Sequence, residues 1–207
     1  MALLDRRFVA LALTLSLGLA GCGKLFGHEG ATTADDMSMG DASAKVTMIE
    51  YASASCPHCA RFNNEVFPAF KAKYIDTGKV HYVFREFLTN PENFAAAGFL
   101  TARCGGKDKY FSILDAIYHG QQAMYESGDI HGGLQRIAQS AGIPDAQFEA
   151  CITDDKALQA LNDRVNRYET DAHIDSTPTF IVNGKKLLGE QSMTSLDAAV
   201  AAAQSGH

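Results

Sequence analysis

Apolar residues in this chain follow two periods, and the switches between them outline its elements. Val46-Thr47-Met48-Ile49-Glu50-Tyr51-Ala52 is an apolar, strand-like run. A helix-forming segment follows from Ala60 to about Ile75. Gly78 then stops the helix, and Lys79 to Phe87 reads as a second strand. From Pro91 to about Asp171 the spacing turns helical: Phe94 to Ala102, Tyr110 to Tyr125, Ile130 to Ala141, Pro144 to Ile152 and Asp154 to Thr170. Gly105-Gly106, Gly128 and Gly142-Ile143-Pro144 punctuate these segments. Thr179 to Val182 and Lys185 to Leu188 flank Asn183-Gly184, the strongest short-range signal of a hairpin. Thr194 to Ala203 closes the chain as a helix, with Thr194 as its expected cap. The order is strand, helix, strand, helical block, hairpin, helix. It predicts an α/β chain: a small mixed sheet flanked by helices, with a helical insertion of about 80 residues.

The N-terminus has a different texture. Arg6-Arg7 precede an apolar stretch from Phe8 to Leu19, too short to span a bilayer comfortably. It ends in Leu19-Ala20-Gly21-Cys22, which resembles the lipobox of bacterial lipoprotein signals. Residues 1–21 are then a removable signal peptide and Cys22 the lipidated first residue; an ordinary secretory signal with an incidental Cys22 is the alternative. Either reading puts the mature protein outside the cytoplasm, where disulfides persist. The expected location is the periplasm, with a lipid anchor to a membrane. Residues 22–43 are dominated by small and polar types and read as a flexible tether. Met37-Ser38-Met39 is too small to form a core.

The remaining composition, 46% hydrophobic and 20% charged in 207 residues, suits one globular domain. A net charge of −6 gives no support to nucleic-acid binding.

The candidate chemistry is Cys56-Pro57-His58-Cys59, on the turn between the first strand and its helix. Two cysteines at this spacing form a redox-active pair. Cys56 falls at the helix N-cap and Pro57 at the first helical position, where a missing N–H costs nothing. Free backbone N–H groups and the helix dipole then favour an exposed Cys56 thiolate. Cys59 lies one turn further in and closes the disulfide, and a protonated His58 adds positive charge beside the sulfur. A zinc site would need a second ligand pair at suitable spacing, and none stands nearby, so no metal is expected.

This arrangement resembles the DsbA-like disulfide oxidoreductases of the thioredoxin-fold superfamily. The resemblance runs from about Ala44 to Gln204 and rests on Cys-Pro-His-Cys, the helical insertion, Glu50 and Thr177-Pro178. It implies a thioredoxin-like domain over 44–90 and 172–207, with 91–171 as the inserted helical domain. It implies that Glu50 lies buried under the site and moves protons for Cys59; an exposed strand-end glutamate is the alternative. It implies a cis Pro178 that faces the disulfide and lets substrate backbone pair beside Thr177. Related proteins carry a second bridge, which makes Cys104 and Cys151 a candidate structural disulfide, with two buried free thiols as the alternative. The implied activity is donation of disulfides to reduced or unfolded exported proteins, without a cofactor, by a monomer that a membrane redox partner recycles. A client-specific reductase or a thiol- or metal-binding assembly factor is the other reading.

Overall fold

The computed structural model describes residues 32–206. Cys22 and the apolar run before it lie outside the described residues. No described helix is long and apolar enough to cross a membrane.

Five strands form one sheet in the order β1-β3-β2-β4-β5. These are β1 (Met37–Met39), β2 (Val46–Ala52), β3 (Val80–Glu86), β4 (Thr179–Val182) and β5 (Lys185–Leu188). Strands β2 and β3 are parallel, and the other pairs are antiparallel. Six of the seven β2 residues are buried, which is why this central strand reads as an almost unbroken apolar run. Helices α1 (Pro57–Glu65) and α2 (Phe67–Phe70), with a π-helical turn (Lys71–Ile75), connect β2 to β3. The block between β3 and β4 comprises α3 (Glu92–Cys104), α4 (Lys107–Ser127), α5 (Ile130–Ser140), α6 (Asp145–Ile152) and α7 (Asp155–Asp171). Helix α8 (Met193–Ser205) ends the described chain.

Three expectations need correction. The helix expected from Ala60 to Ile75 breaks at Val66, two residues before Pro68, which has no N–H to donate into a continuous helix. The cap of α8 is Ser192, whose hydroxyl accepts from Ser195 N–H, rather than Thr194.

The third concerns the tether, whose described part is built into the domain. Strand β1 pairs with β3, setting Met37 opposite Phe84 and Met39 opposite Tyr82. Just before it, Asp36 receives Arg85 Nε at 3.1 Å and Nη2 at 3.0 Å, with both side chains buried. Arg85 also donates to Tyr51 Oη at 2.7 Å and stacks against the Tyr168 ring. A three-residue strand is too short to show a period, and its partners stand more than forty positions away. Its composition therefore hides its role.

The helical block reaches the turn before α1. A Cβ at Gly98 on α3 would sit 2.9 Å from Ala54 Cβ, so this close approach requires glycine. Cys104 at the end of α3 is disulfide-bonded to Cys151 on α6, with 5.9 Å between Cα atoms.

Candidate active site

Strand β2 delivers the turn and α1 receives it. Cys56 is the N-cap of α1 with extended backbone (φ −82°, ψ 119°), Pro57 occupies the first turn, and Cys56 O accepts Ala60 N–H at 3.1 Å. Both Cys56 and Cys59 are free thiols. Cys56 is only 6% exposed and Cys59 is fully buried. The expected exposed nucleophile is thus largely covered, since neighbouring segments close over the helix terminus.

The two thiols differ sharply in acidity. The Cys59 thiol, hydrogen-bonded to Cys56, is the largest influence lowering the Cys56 pKa to about 6. Burial opposes it, while the Thr177 side chain and the backbone N–H groups of Cys59 and His58 add to it. Burial pushes the Cys59 thiol well above its usual value, helped by its interaction with Cys56 and the Glu50 charge.

Glu50, on β2, is 3% exposed. Burial raises its pKa to about 8, although Tyr82 Oη donates to Oε2 at 2.7 Å and pulls it down. Glu50 also lines a cavity of about 370 Å³ with Met39, Phe67, Tyr82 and Phe111.

The Thr177–Pro178 peptide is cis. Cys56 Sγ lies 3.5 Å from Thr177 O, its acceptor. Thr177 Oγ1 is enclosed without a hydrogen-bond partner, which leaves it available to a Cys56 thiolate.

His58 departs from expectation. Its ring is 62% exposed and turns to Glu190, with Nδ1 at 2.5 Å from Oε1. Arg61 Nη1 reaches the same carboxylate at 3.1 Å. Glu190 follows β5 and is 132 positions from His58, so no local signal in the chain joins them. Among the groups that hold the Cys56 pKa down, His58 acts through its backbone N–H. Tyr82, Gln121 and Tyr125 are further site residues that spacing does not reveal. Among the described residues, no group of three or more His, Cys, Asp or Glu side chains is placed to hold a metal ion.

A family model described as Thioredoxin matches residues 32–202. The chain belongs to the thioredoxin family. Within it, a provisionally named protein-disulfide oxidoreductase of Rickettsia bellii is 34% identical over 167 residues, covering 80% of this chain and 63% of that one. This chain spans about three fifths of the length of such relatives. The thiol:disulfide interchange protein DsbL of Escherichia coli is 26% identical over 171 residues, covering 75% of this chain and 76% of that one. The crystal structure of Wolbachia pipientis alpha-DsbA1 superposes with a TM-score of 0.78 at 28% identity, over 84% of this chain and 94% of that one. The thioredoxin fold with its helical insertion is therefore DsbA-like.

Proposed function

We propose that this chain is an extracytoplasmic protein-disulfide oxidoreductase that donates the Cys56–Cys59 disulfide to exported proteins. The opposed acidities of the two thiols carry this reading. A reduced form that holds Cys56 as thiolate at neutral pH is stabilised, and stabilising the reduced form makes the disulfide a better oxidant.

The chemistry follows the geometry. A substrate thiolate attacks Cys56 Sγ in the oxidised pair, forming a mixed disulfide and breaking the bond to Cys59. Cys59 leaves as a thiolate in a buried site where that charge is costly, and protonated Glu50 returns a proton to it. The cavity beside Glu50 gives that proton a way to exchange with water. A second substrate thiolate attacks the substrate sulfur of the mixed disulfide. The substrate disulfide closes and Cys56 departs as the thiolate, a good leaving group at this acidity. Two electrons have passed to the protein, and a membrane redox partner removes them. Beside cis Pro178, the backbone and the exposed Leu188, which pairs with Thr179, offer a surface for an extended, apolar client.

The location and anchor rest on the apolar run before Cys22, with lipidation at that cysteine. The Cys104–Cys151 bridge suits an oxidising compartment.

Turnover decides the matter. Oxidised protein at sub-stoichiometric amounts, with a terminal oxidant, should oxidise several reduced, unfolded secretory proteins over many cycles. Cys56→Ser should abolish turnover, and Cys59→Ser should accumulate mixed disulfides through Cys56. Negligible turnover on generic substrates, with a trap that captures one client only, would replace this reading with a dedicated assembly role.

A further inference from the structure

Three consecutive carbonyls of the turn that carries Cys56 are held by one helix of the inserted block. On α4, Gln121 Nε2 donates to Ala54 O at 2.8 Å and to Cys56 O at 3.3 Å. One turn on, Tyr125 Oη donates to Ser55 O at 2.5 Å. Ala54 and Ser55 are fully buried and Gln121 is 3% exposed, so these carbonyls have no water to turn to. The Tyr125 ring is itself held edge-on against Phe94 of α3.

We propose that Gln121 and Tyr125 are positioning residues that hold the Cys56 turn in its thiolate-stabilising geometry, so that the helical block helps set the redox poise of the thiol pair. The inference rests on the oxidoreductase reading above. A carbonyl engaged by α4 cannot rotate toward Sγ, where its oxygen would oppose a thiolate. Fixing the turn also keeps the backbone N–H groups of His58 and Cys59 aimed at Cys56. Cys56 O keeps Ala60 N–H as a partner, but loss of the donors strands the buried Ala54 and Ser55 carbonyls, and the turn reorganises to satisfy them.

The titratable groups that face Cys56 are Cys59 on α1, Glu50 on β2, and Tyr118 and Tyr125 on α4. Gln121 carries no charge at any pH. Replacing it therefore changes position without adding or removing a titration.

The test uses Gln121→Leu, which keeps size and removes the donors, Tyr125→Phe, which keeps the ring, and the double variant. Cys56 thiolate absorbance is followed against pH, and the dithiol equilibrium is measured against glutathione. The unfolding midpoint is recorded alongside, with Leu134→Ala on α5 as a destabilised control. In the double variant the Cys56 pKa should rise by about one unit, and the glutathione equilibrium should move about tenfold toward the disulfide form. Each single variant should show part of this shift, and Leu134→Ala none. Folded Gln121→Leu and Tyr125→Phe proteins that titrate and equilibrate as wild type would overturn the proposal. So would a shift in Leu134→Ala of the same size, since general loosening would then explain it. If these shifts appear while wild type shows no oxidase turnover, the positioning role stands and the oxidoreductase reading falls.

Discussion

Cys56 and Cys59 sit three positions apart, yet their environments push their acidities in opposite directions. Cys56 meets donors from the helix terminus, Cys59 and Thr177, whereas Cys59 is held up by burial, the neighbouring sulfur and the Glu50 carboxylate. Glu50 belongs to the same balance, and its sign is testable. Its folded-state pKa of about 8 stands above the ordinary 4.5, so its protonated form is the one the fold favours. The stability tied to it is fully present below pH 4.5 and is lost as pH rises through 8. Glu50→Gln is neutral throughout and keeps the size. Its unfolding free energy in urea should match wild type near pH 4.5 and exceed it by roughly 3 kcal/mol at pH 7. A pH-independent difference would show that Glu50 ionises freely in the fold. Client turnover should slow in the same variant, because Cys59 loses its proton donor.

At the level of elements, the short strand β1 matters beyond its length. It covers an edge of β3, and Asp36 beside it neutralises the buried Arg85 guanidinium. Removing Asp36 takes two charge-assisted hydrogen bonds from a buried guanidinium, and breaking a buried pair from one side is costlier than replacing both partners. Asp36→Ala should therefore lower the unfolding free energy by roughly 3 kcal/mol, measured by denaturant titration. A loss below about 0.5 kcal/mol, the scale of an ordinary surface substitution, would mean that this segment only rests on the domain. The helix after the thiols illustrates the opposite case. Pro68 stands in plain view in the chain, and its missing N–H accounts for the break at Val66.

Over the whole molecule, the helical block serves two ends. The Cys104–Cys151 bridge ties α3 to α6 across 47 positions of chain. In the chain-entropy model a loop of this size contributes about 4 kcal/mol through the unfolded state. The double variant Cys104→Ala/Cys151→Ala should lose stability of up to that order in thermal or urea unfolding. Its Cys56–Cys59 equilibrium with glutathione should be unchanged, because α4 rather than this bridge touches the thiol turn. A shifted equilibrium would show that the bridge reaches the site through the block.

What the chain alone determined is what short spans of backbone decide. β2, the five helices of the block, the Asn183-Gly184 hairpin and Cys56 at a helix N-cap all follow from periods, caps and turns. The tertiary structure decided which of those residues meet. Alternation along β2 left the face of Glu50 open, and only the packing of side chains such as Phe67, Tyr82 and Phe111 over that face buried it. The covering of Cys56, the turn of His58 toward Glu190, the anchoring of Asp36 and the donors on α4 were equally illegible. Each joins segments from about fifty to more than a hundred positions apart. Local propensity carries no record of such partners, since they are brought together only when apolar faces collapse into one core and buried polar groups must find hydrogen bonds within it.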